Sequence, residues 1–246
     1  FFIVQQGDDL LLEAEVGRLD DLAKRLNMYR LRADVQIEVL SDWEVHAAFG
    51  PGVDAALGLD AAAATKFAGG LAYQDPRLAD AGVRIVTPAG QASGKFTAAG
   101  LVATDAAAYD YFRLGLALPD GGADLVVDKS LMLESNFEVL HGVDFDKGCF
   151  VGQELTARTK YRALVRKRLL PVLIDGPLPD PGTPLMVGER EVASMRSGQK
   201  DRGLALVRLD RLADAGGLGQ SLRAGEAEVT IQMPDWADFD LNAEVV

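Results

Sequence analysis

Residues 165–185 read VRKRLLPVLIDGPLPDPGTPL, and at this stretch the character of the chain changes. Five prolines fall between Pro171 and Pro184, and the short strand-like segments LMVG, EVASMRSG, GLALVRL and AEVTIQM follow. Short strands separated by Gly and Pro, without a strongly helical stretch, are typical of a small β-barrel or sandwich. We therefore predict a C-terminal β-barrel domain over residues 163–246.

Upstream, residues 1–162 predict an α+β region in which helices cover one face of antiparallel sheets. FFIVQQ and LLLEAE flank a Gly-Asp turn and predict a hairpin. The apolar spacing from Leu19 to Tyr29 predicts an amphipathic helix. DVQIEVL, at 34–40, alternates like a strand, and we expect it to pair with WEVHAAFG, at 43–50.

Three further elements are predicted before the barrel. The weakly patterned stretch from Pro51 to Gly70 is interpreted as a short helix and loop, and VRIVTP, at 83–88, as a strand. TDAAAYDYFRLGLAL, at 104–118, predicts a helix whose first turn Asp105 caps.

Composition limits the classes of function that this chain can serve. Its formal charge of −12 and pI near 4.6 argue against a general binder of nucleic acids or anionic membranes. One cysteine and two histidines in 246 residues exclude an internal disulfide and a zinc cluster, so we expect no stably bound metal. A reducing compartment, hence the cytoplasm, is predicted, and no apolar run or leader indicates a membrane span or export.

The single cysteine lies in VDFDKGCFVGQELTARTKYR, residues 143–162. Gly148 and Gly152 bracket Cys149 and can shape a loop, while the cation of Lys147 favours the thiolate, which is the reactive form. The alternatives are a plain turn into a strand and a cysteine that packs as a small apolar residue. From the residues alone, burial is the favoured interpretation.

Two other features carry charge in unusual places. Glu134 lies in an apolar run, where a buried carboxylate needs either an Arg partner or a ligand with two parallel N–H groups, such as a pterin. The run TARTKYRALVRKR contains six cations and no acid, so it can meet an anionic ligand tail or an acidic partner, or merely protect a solvated strand edge.

DFDKGCFVGQELTAR resembles the signature of the YgfZ family of folate-binding, iron–sulfur-related proteins, Lys-Gly-Cys-(Tyr/Phe)-x-Gly-Gln-Glu. KRLNMYRLRADVQIE and GLALVRL resemble other segments of that family, so the likeness extends over most of the chain. The family is similar in fold to the glycine cleavage T-protein, a tetrahydrofolate-dependent aminomethyltransferase. The resemblance implies a folate-binding α+β region followed by a C-terminal barrel.

The resemblance also implies roles for individual residues. Cys149 would be the working thiol, and Lys147 would support it. Gly148 and Gly152 would shape the loop, and Gln153, Glu154 and Arg158 would complete a folate-binding surface. SLMLESN looks like the T-protein segment whose Glu contacts the pterin, which nominates Glu134.

The implied function is tetrahydrofolate binding coupled to assembly or repair of iron–sulfur clusters in client enzymes, including tRNA-modifying ones. The chain would be an accessory factor more than a classical enzyme, with client proteins or assembly factors as partners. One cysteine cannot hold a cluster alone, so ligation would be transient or shared. The alternatives are a tetrahydrofolate-dependent aminomethyltransferase, disfavoured because T-protein lacks this cysteine, and a scaffold that has lost its ligand.

Overall fold

The computed structural model describes residues 1–59, 63–149, 153–161 and 165–239. The chain divides into two compact units. The first comprises residues 1–75 and 82–103, and the second comprises residues 76–81 and the chain from 104 onward. The boundary predicted between residues 162 and 163 lies outside the described residues.

In its described residues, the first unit contains two antiparallel sheets and three α-helices. Strands β1 and β2 form a hairpin, and the order of the other sheet is β3-β6-β5-β4. The elements are β1 (Phe2–Gln6), β2 (Asp9–Glu13), α1 (Leu19–Tyr29), β3 (Trp43–Ala48), α2 (Val53–Ala56), β4 (Ala64–Phe67), β5 (Gly70–Gln74), β6 (Val83–Pro88) and α3 (Ser93–Ala98). The predicted N-terminal hairpin, the helix from Leu19 to Tyr29 and the strand at 83–88 are confirmed.

The predicted pairing of residues 34–40 with 43–50 is wrong. Strand β3 pairs instead with β6, in the register Trp43↔Pro88 to Ala48↔Val83. The 34–40 segment forms no strand, and Val35 and Val39 are exposed. Alternation indicates that a segment suits a sheet but does not identify its partner, which long-range packing decides. The second half of the Pro51–Gly70 stretch holds β4, which the sequence interpretation missed.

A cluster of charged side chains fastens the first hairpin to the larger sheet. The Arg84 guanidinium, on β6, pairs with the Glu13 carboxylate, on β2, and lies 4.0 Å from the centroid of the Phe2 ring. The Tyr73 hydroxyl donates to Glu13 Oε2 at 2.8 Å. Because Glu13 is nearly buried, these donors replace the water that its carboxylate loses.

The second unit is built on a closed six-stranded barrel of order β10-β7-β12-β11-β8-β9. The elements of this unit are α4 (Ala106–Gly115), α5 (Gln153–Tyr161), β7 (Lys167–Asp175), β8 (Pro184–Val187), β9 (Arg190–Gln199), β10 (Arg202–Arg208), α6 (Leu209–Asp214), β11 (Ser221–Ala224) and β12 (Ala227–Ile231). The α+β class and the C-terminal barrel are therefore confirmed. In the described part of the chain, no helix combines the length and apolar composition that a bilayer crossing requires.

The central part of strand β7, from Leu169 to Val172, is buried on both faces. Leu170 and Val172 belong to the barrel core, whereas Leu169 packs with Leu114 and Ala117 beneath α4. Helix α4 begins as predicted, with Asp105 Oδ1 accepting from Ala108 N at 2.8 Å.

A buried ion pair holds α4 to the barrel. Arg113 Nη1 lies 2.7 Å from Asp124 Oδ2, and both side chains are almost completely inaccessible to solvent. Arg113 Nη1 also donates to Leu118 O at 3.0 Å, and the Ser197 hydroxyl on β9 donates to Asp124 Oδ1. Burial raises the pKa of Asp124, while Arg113 and the other donors oppose that rise. One pair thus joins the helix, the turn after it and a barrel strand.

Arg113→Met should lower the free energy of unfolding by about 3–5 kcal/mol, because it leaves a buried carboxylate without its counter-ion. Arg113→Met combined with Asp124→Leu removes both charges and should recover part of the loss. Urea denaturation of the single and double variants measures both effects. A double variant no more stable than the single one would contradict this account, and Arg208→Met, at an exposed ion pair, is the control.

Candidate functional site

The thiol of Cys149 is exposed. The preceding Gly148 has a φ of +85°, a conformation that side-chain-bearing residues rarely adopt, and among the described residues no atom beyond its chain neighbours lies within 4 Å of a Cβ placed there. Gly148 therefore allows the backbone turn that precedes the exposed thiol. Burial, which the residues alone favoured, is the wrong interpretation.

The signature residues from Gln153 onward lie on helix α5. Gln153 is half-buried, Glu154 and Arg158 are exposed, and Thr156 is the residue of this helix that is buried. Lys147 is exposed on the other side of the cysteine. Gly152 and the two residues before it lie outside the described residues, so its predicted role stays a prediction.

A cleft of about 520 Å³ lies between the chain that leads to the cysteine loop and the end of α5. Phe145 and Tyr161 meet edge to face, with ring centroids 6.1 Å apart. The Lys160 ammonium pairs with Glu138 and lies 5.1 Å from the centroid of the Phe145 ring. These contacts connect α5 to the segment that carries the exposed thiol.

Glu134 is positioned by backbone contacts of its segment with β7. Leu169 N donates to Glu134 O at 2.8 Å, and Asn136 Nδ2 donates to Leu169 O at 2.6 Å. Asn136 is completely buried and has a φ of +62°, which Asn tolerates better than most residues. Arg168 Nη1 donates to Asn136 Oδ1 at 3.3 Å. The turn that holds Glu134 is therefore anchored on the barrel.

The Glu134 side chain lines a crevice against the barrel. The lining residues are Asp124, Leu125, Ser130, Leu131, Glu134, Ser135, Leu169, Arg196 and Leu206. Its volume of about 10 Å³ is roughly the room of one water molecule. A ring-sized ligand therefore does not fit inside it.

The carboxylate of Glu134 is half-buried and has no hydrogen bond or ion pair with any described residue. Burial raises its pKa, and the more distant charges of Lys167 and Arg196 partly offset that rise. The Arg ion pair that would be its usual partner is therefore not formed. A half-buried carboxylate without a partner can accept the paired N–H groups of a pterin edge, but the crevice has room for about one water molecule and does not enclose the ring.

The residues nominated from the sequence do not form one site in the described structure. Glu134 lines the crevice, and none of the crevice-lining residues belongs to the signature from Lys147 to Arg158. The cationic run is also divided: Arg168 is buried against Asn136, and Lys160 is paired with Glu138. Arg196 was missed, because a single Arg in a barrel strand carries no distinguishing pattern.

No group of three or more His, Cys, Asp or Glu side chains in the described residues is placed to hold a metal ion. Cys149 is the only cysteine of the whole sequence. A cluster normally takes four protein ligands, so any iron–sulfur ligation by this thiol needs ligands from another molecule.

Comparison with known proteins finds a matching family model for the barrel and similar proteins over most of the chain. Residues 166–239 match the family model described as CAF17, C-terminal beta-barrel domain. The chain is similar to the mitochondrial iron-sulfur cluster assembly factor IBA57 of Homo sapiens, with 36% identity over 92% of this chain and 64% of the human protein. The corresponding protein of Mus musculus is 34% identical over 92% of this chain and 63% of its own length. The chain thus spans less than two thirds of these relatives.

Among solved structures, the glycine cleavage system aminomethyltransferase T from Bartonella henselae has a similar fold. The TM-score is 0.61 and the identity 15%, over 92% of this chain and 68% of the other. The chain is therefore related to the CAF17/IBA57 proteins and, in fold, to T-protein. The YgfZ family named by the signature is a bacterial relative of these proteins, and the relatives found here are IBA57 proteins instead.

The predicted cytoplasmic location is wrong. The curated relatives are mitochondrial proteins, including that of Neurospora crassa, which is 35% identical over 67% of this chain and 38% of its own length. A single unpaired cysteine indicates only that disulfides are not needed. It does not distinguish one reducing compartment from another.

Glu134→Gln should raise the melting temperature at pH 7, because ionising a half-buried carboxylate that has no partner lowers the free energy of unfolding. Below the ordinary pKa of 4.5, the group is protonated in both the folded and the unfolded chain, so the advantage should vanish there. The advantage of the Gln variant should grow as the pH rises from 4.5 to the raised pKa of the folded protein, and it should stay constant above that pKa. Thermal unfolding from pH 4 to 8 tests this, with exposed Glu154→Gln as control; an advantage independent of pH would contradict it.

Proposed function

We propose that this chain is the core of an iron–sulfur cluster assembly factor in which Cys149 is a transient cluster ligand and Glu134 contributes to binding a reduced folate. The observation that carries the first part is an exposed, solitary thiol on a loop shaped by Gly148. Similarity to iron–sulfur assembly factors over 92% of the chain supports it. The aminomethyltransferase alternative has the shared fold alone as support.

A solitary exposed thiol fits the transfer of a cluster better than its storage. Bound clusters in stable sites are held by several thiolates, and this chain contains one. A cluster shared with an assembly factor or client protein would be held by Cys149 on one side and by the partner's ligands on the other. Lys147, two residues before the cysteine, remains a proposed contributor to this thiol site.

The folate part of the proposal depends on Glu134. Its carboxylate is partly desolvated and lacks a partner among the described residues, and a 2-amino-4-oxopyrimidine ring offers two parallel N–H donors. A ligand that supplies those donors would recover the hydrogen bonds that the carboxylate loses on folding. The proposed folate-binding surface also includes Gln153, Glu154, Arg158 and the signature glycines Gly148 and Gly152.

Cys149→Ser should abolish support of cluster-dependent enzymes while leaving folate binding unchanged, because the hydroxyl is a poor ligand for iron. The measurement is activity of cluster-containing enzymes in cells that depend on the full-length protein, together with cluster transfer in vitro. Glu134→Gln is the reciprocal control, since it keeps the thiol. Full complementation by the serine variant would exclude the thiol role.

Glu134→Gln should weaken binding of tetrahydrofolate by about 10- to 100-fold, the value of one charged hydrogen bond. Isothermal titration of the full-length protein measures the affinity. Glu154→Gln tests whether the signature contributes to the same ligand, as proposed above. Affinity unchanged in Glu134→Gln would remove this residue from the folate site, and absence of any binding to the wild type would reject the folate proposal.

A further inference from the structure

The cleft beside the cysteine loop takes no part in the proposed folate site. Its volume of about 520 Å³ lies within the range of ligand pockets, roughly 300–1,000 Å³. The described lining residues are Glu138, His141, Val143, Asp144, Phe145, Asp146, Lys160 and Tyr161. Unlike the crevice at Glu134, this cleft therefore has room for a side chain of another molecule.

The cleft adjoins the exposed thiol because one short segment carries both. Asp146 lines the cleft, and Cys149 follows it three residues later in the chain. Consecutive Cα atoms are about 3.8 Å apart, so the Cα atoms of these two residues lie within about 11 Å of each other. A protein that engages the thiol of Cys149 therefore brings its own surface close to the cleft.

Carboxylates outnumber permanent cations in the cleft. Lys160 is the described lining residue with a permanent positive charge, and its ammonium already pairs with Glu138. Asp144 Oδ1 accepts from Asp146 N at 2.8 Å, and the Asp146 carboxylate itself forms no hydrogen bond or ion pair with a described residue. The cleft therefore presents negative charge that the described residues do not neutralise, which favours a cationic group.

An exposed aromatic ring lines the same cleft. Tyr161, at the end of α5, is 69% exposed, and the edge-to-face contact with Phe145 holds its ring in place. Lys160 lies near the Phe145 ring, whereas no cation among the described residues lies over the Tyr161 ring. A guanidinium can stack on such a ring and donate to a carboxylate at the same time, because its N–H groups point outward from a flat plane. The lining therefore suits Arg better than Lys.

We propose that this cleft is the docking site for an arginine side chain of the cluster-bearing partner protein, which reaches the cleft when the partner's ligands meet Cys149. The inference rests on the proposed thiol function and names a surface feature of the partner. The guanidinium stacks on Tyr161 and donates to Asp146. This contact aligns the partner's cluster with the thiol, and it disfavours proteins whose surface is acidic at that position.

Thiol–disulfide exchange on the full-length protein tests this docking beside the thiol. The probes are two peptides in which a cysteine, blocked by 5-thio-2-nitrobenzoate, is separated by two glycines from either Arg or Gln. The Cys149 thiolate attacks the peptide sulfur, forms the mixed disulfide and releases the coloured thiolate. The Arg peptide should react about 3- to 10-fold faster, as expected from an exposed ion pair combined with a cation–π contact. Cys149→Ser measures the background from any other thiol.

Asp146→Asn and Tyr161→Leu should each bring the ratio of the two rates toward one, because each removes one of the two contacts. The ratio is the informative quantity, since a change in the pKa or exposure of the thiol alters both rates equally. Asp146→Lys should make the Gln peptide the faster one. Asp180→Asn, at an exposed position before β8, removes the same charge outside the cleft and should keep the wild-type ratio.

The outcomes distinguish the docking site from the thiol role. Equal rates for the two peptides with the wild type would reject the docking site and leave the thiol role intact. A preference for the Arg peptide that persists in Asp146→Asn would attribute it to the net charge of the protein and would also reject the docking site. Full complementation of cells by Cys149→Ser would reject the thiol role and the docking site with it. Thermal melts establish that each variant is folded.

Discussion

The buried pair of Arg113 and Asp124 is the interaction on which the second unit depends. Both charged groups are removed from water, so loss of either one leaves the other buried without a counter-ion. Through Leu118 O and the Ser197 hydroxyl the pair also fixes the end of α4 and strand β9. Because Asp124 lines the crevice, the same pair shapes the wall that faces Glu134.

Glu134 and Arg196 carry opposite charges and line the same crevice, but they do not form an ion pair. Asn136 anchors the turn of Glu134 on β7, and the barrel strand β9 carries Arg196. A purely structural carboxylate would be expected to have a partner, since unpaired desolvated charge is unfavourable. The separation of Glu134 and Arg196 is therefore the kind of local conflict that proteins retain at binding sites.

The exposed thiol and the crevice have different surroundings, and this difference fits two different kinds of partner. The thiol of Cys149 is exposed, so another protein can approach it. Glu134 and Arg196 line a crevice with room for about one water molecule. A small ligand and a cluster-bearing protein could thus act on separate groups, so variants at the two places should affect separate properties.

By itself, the sequence determined the α+β class, the barrel, the first hairpin and the capped helix at Asp105, because these depend on local periodicity and turn residues. It nominated the segment around Cys149 through a continuous motif. It nominated Glu134 but could not show that the carboxylate lacks a partner. Tertiary structure alone decided that β3 pairs with β6, that Cys149 is exposed and that Arg196 faces the crevice of Glu134. Strand pairing and charge proximity join residues far apart in the chain, and no local pattern encodes which distant groups will meet.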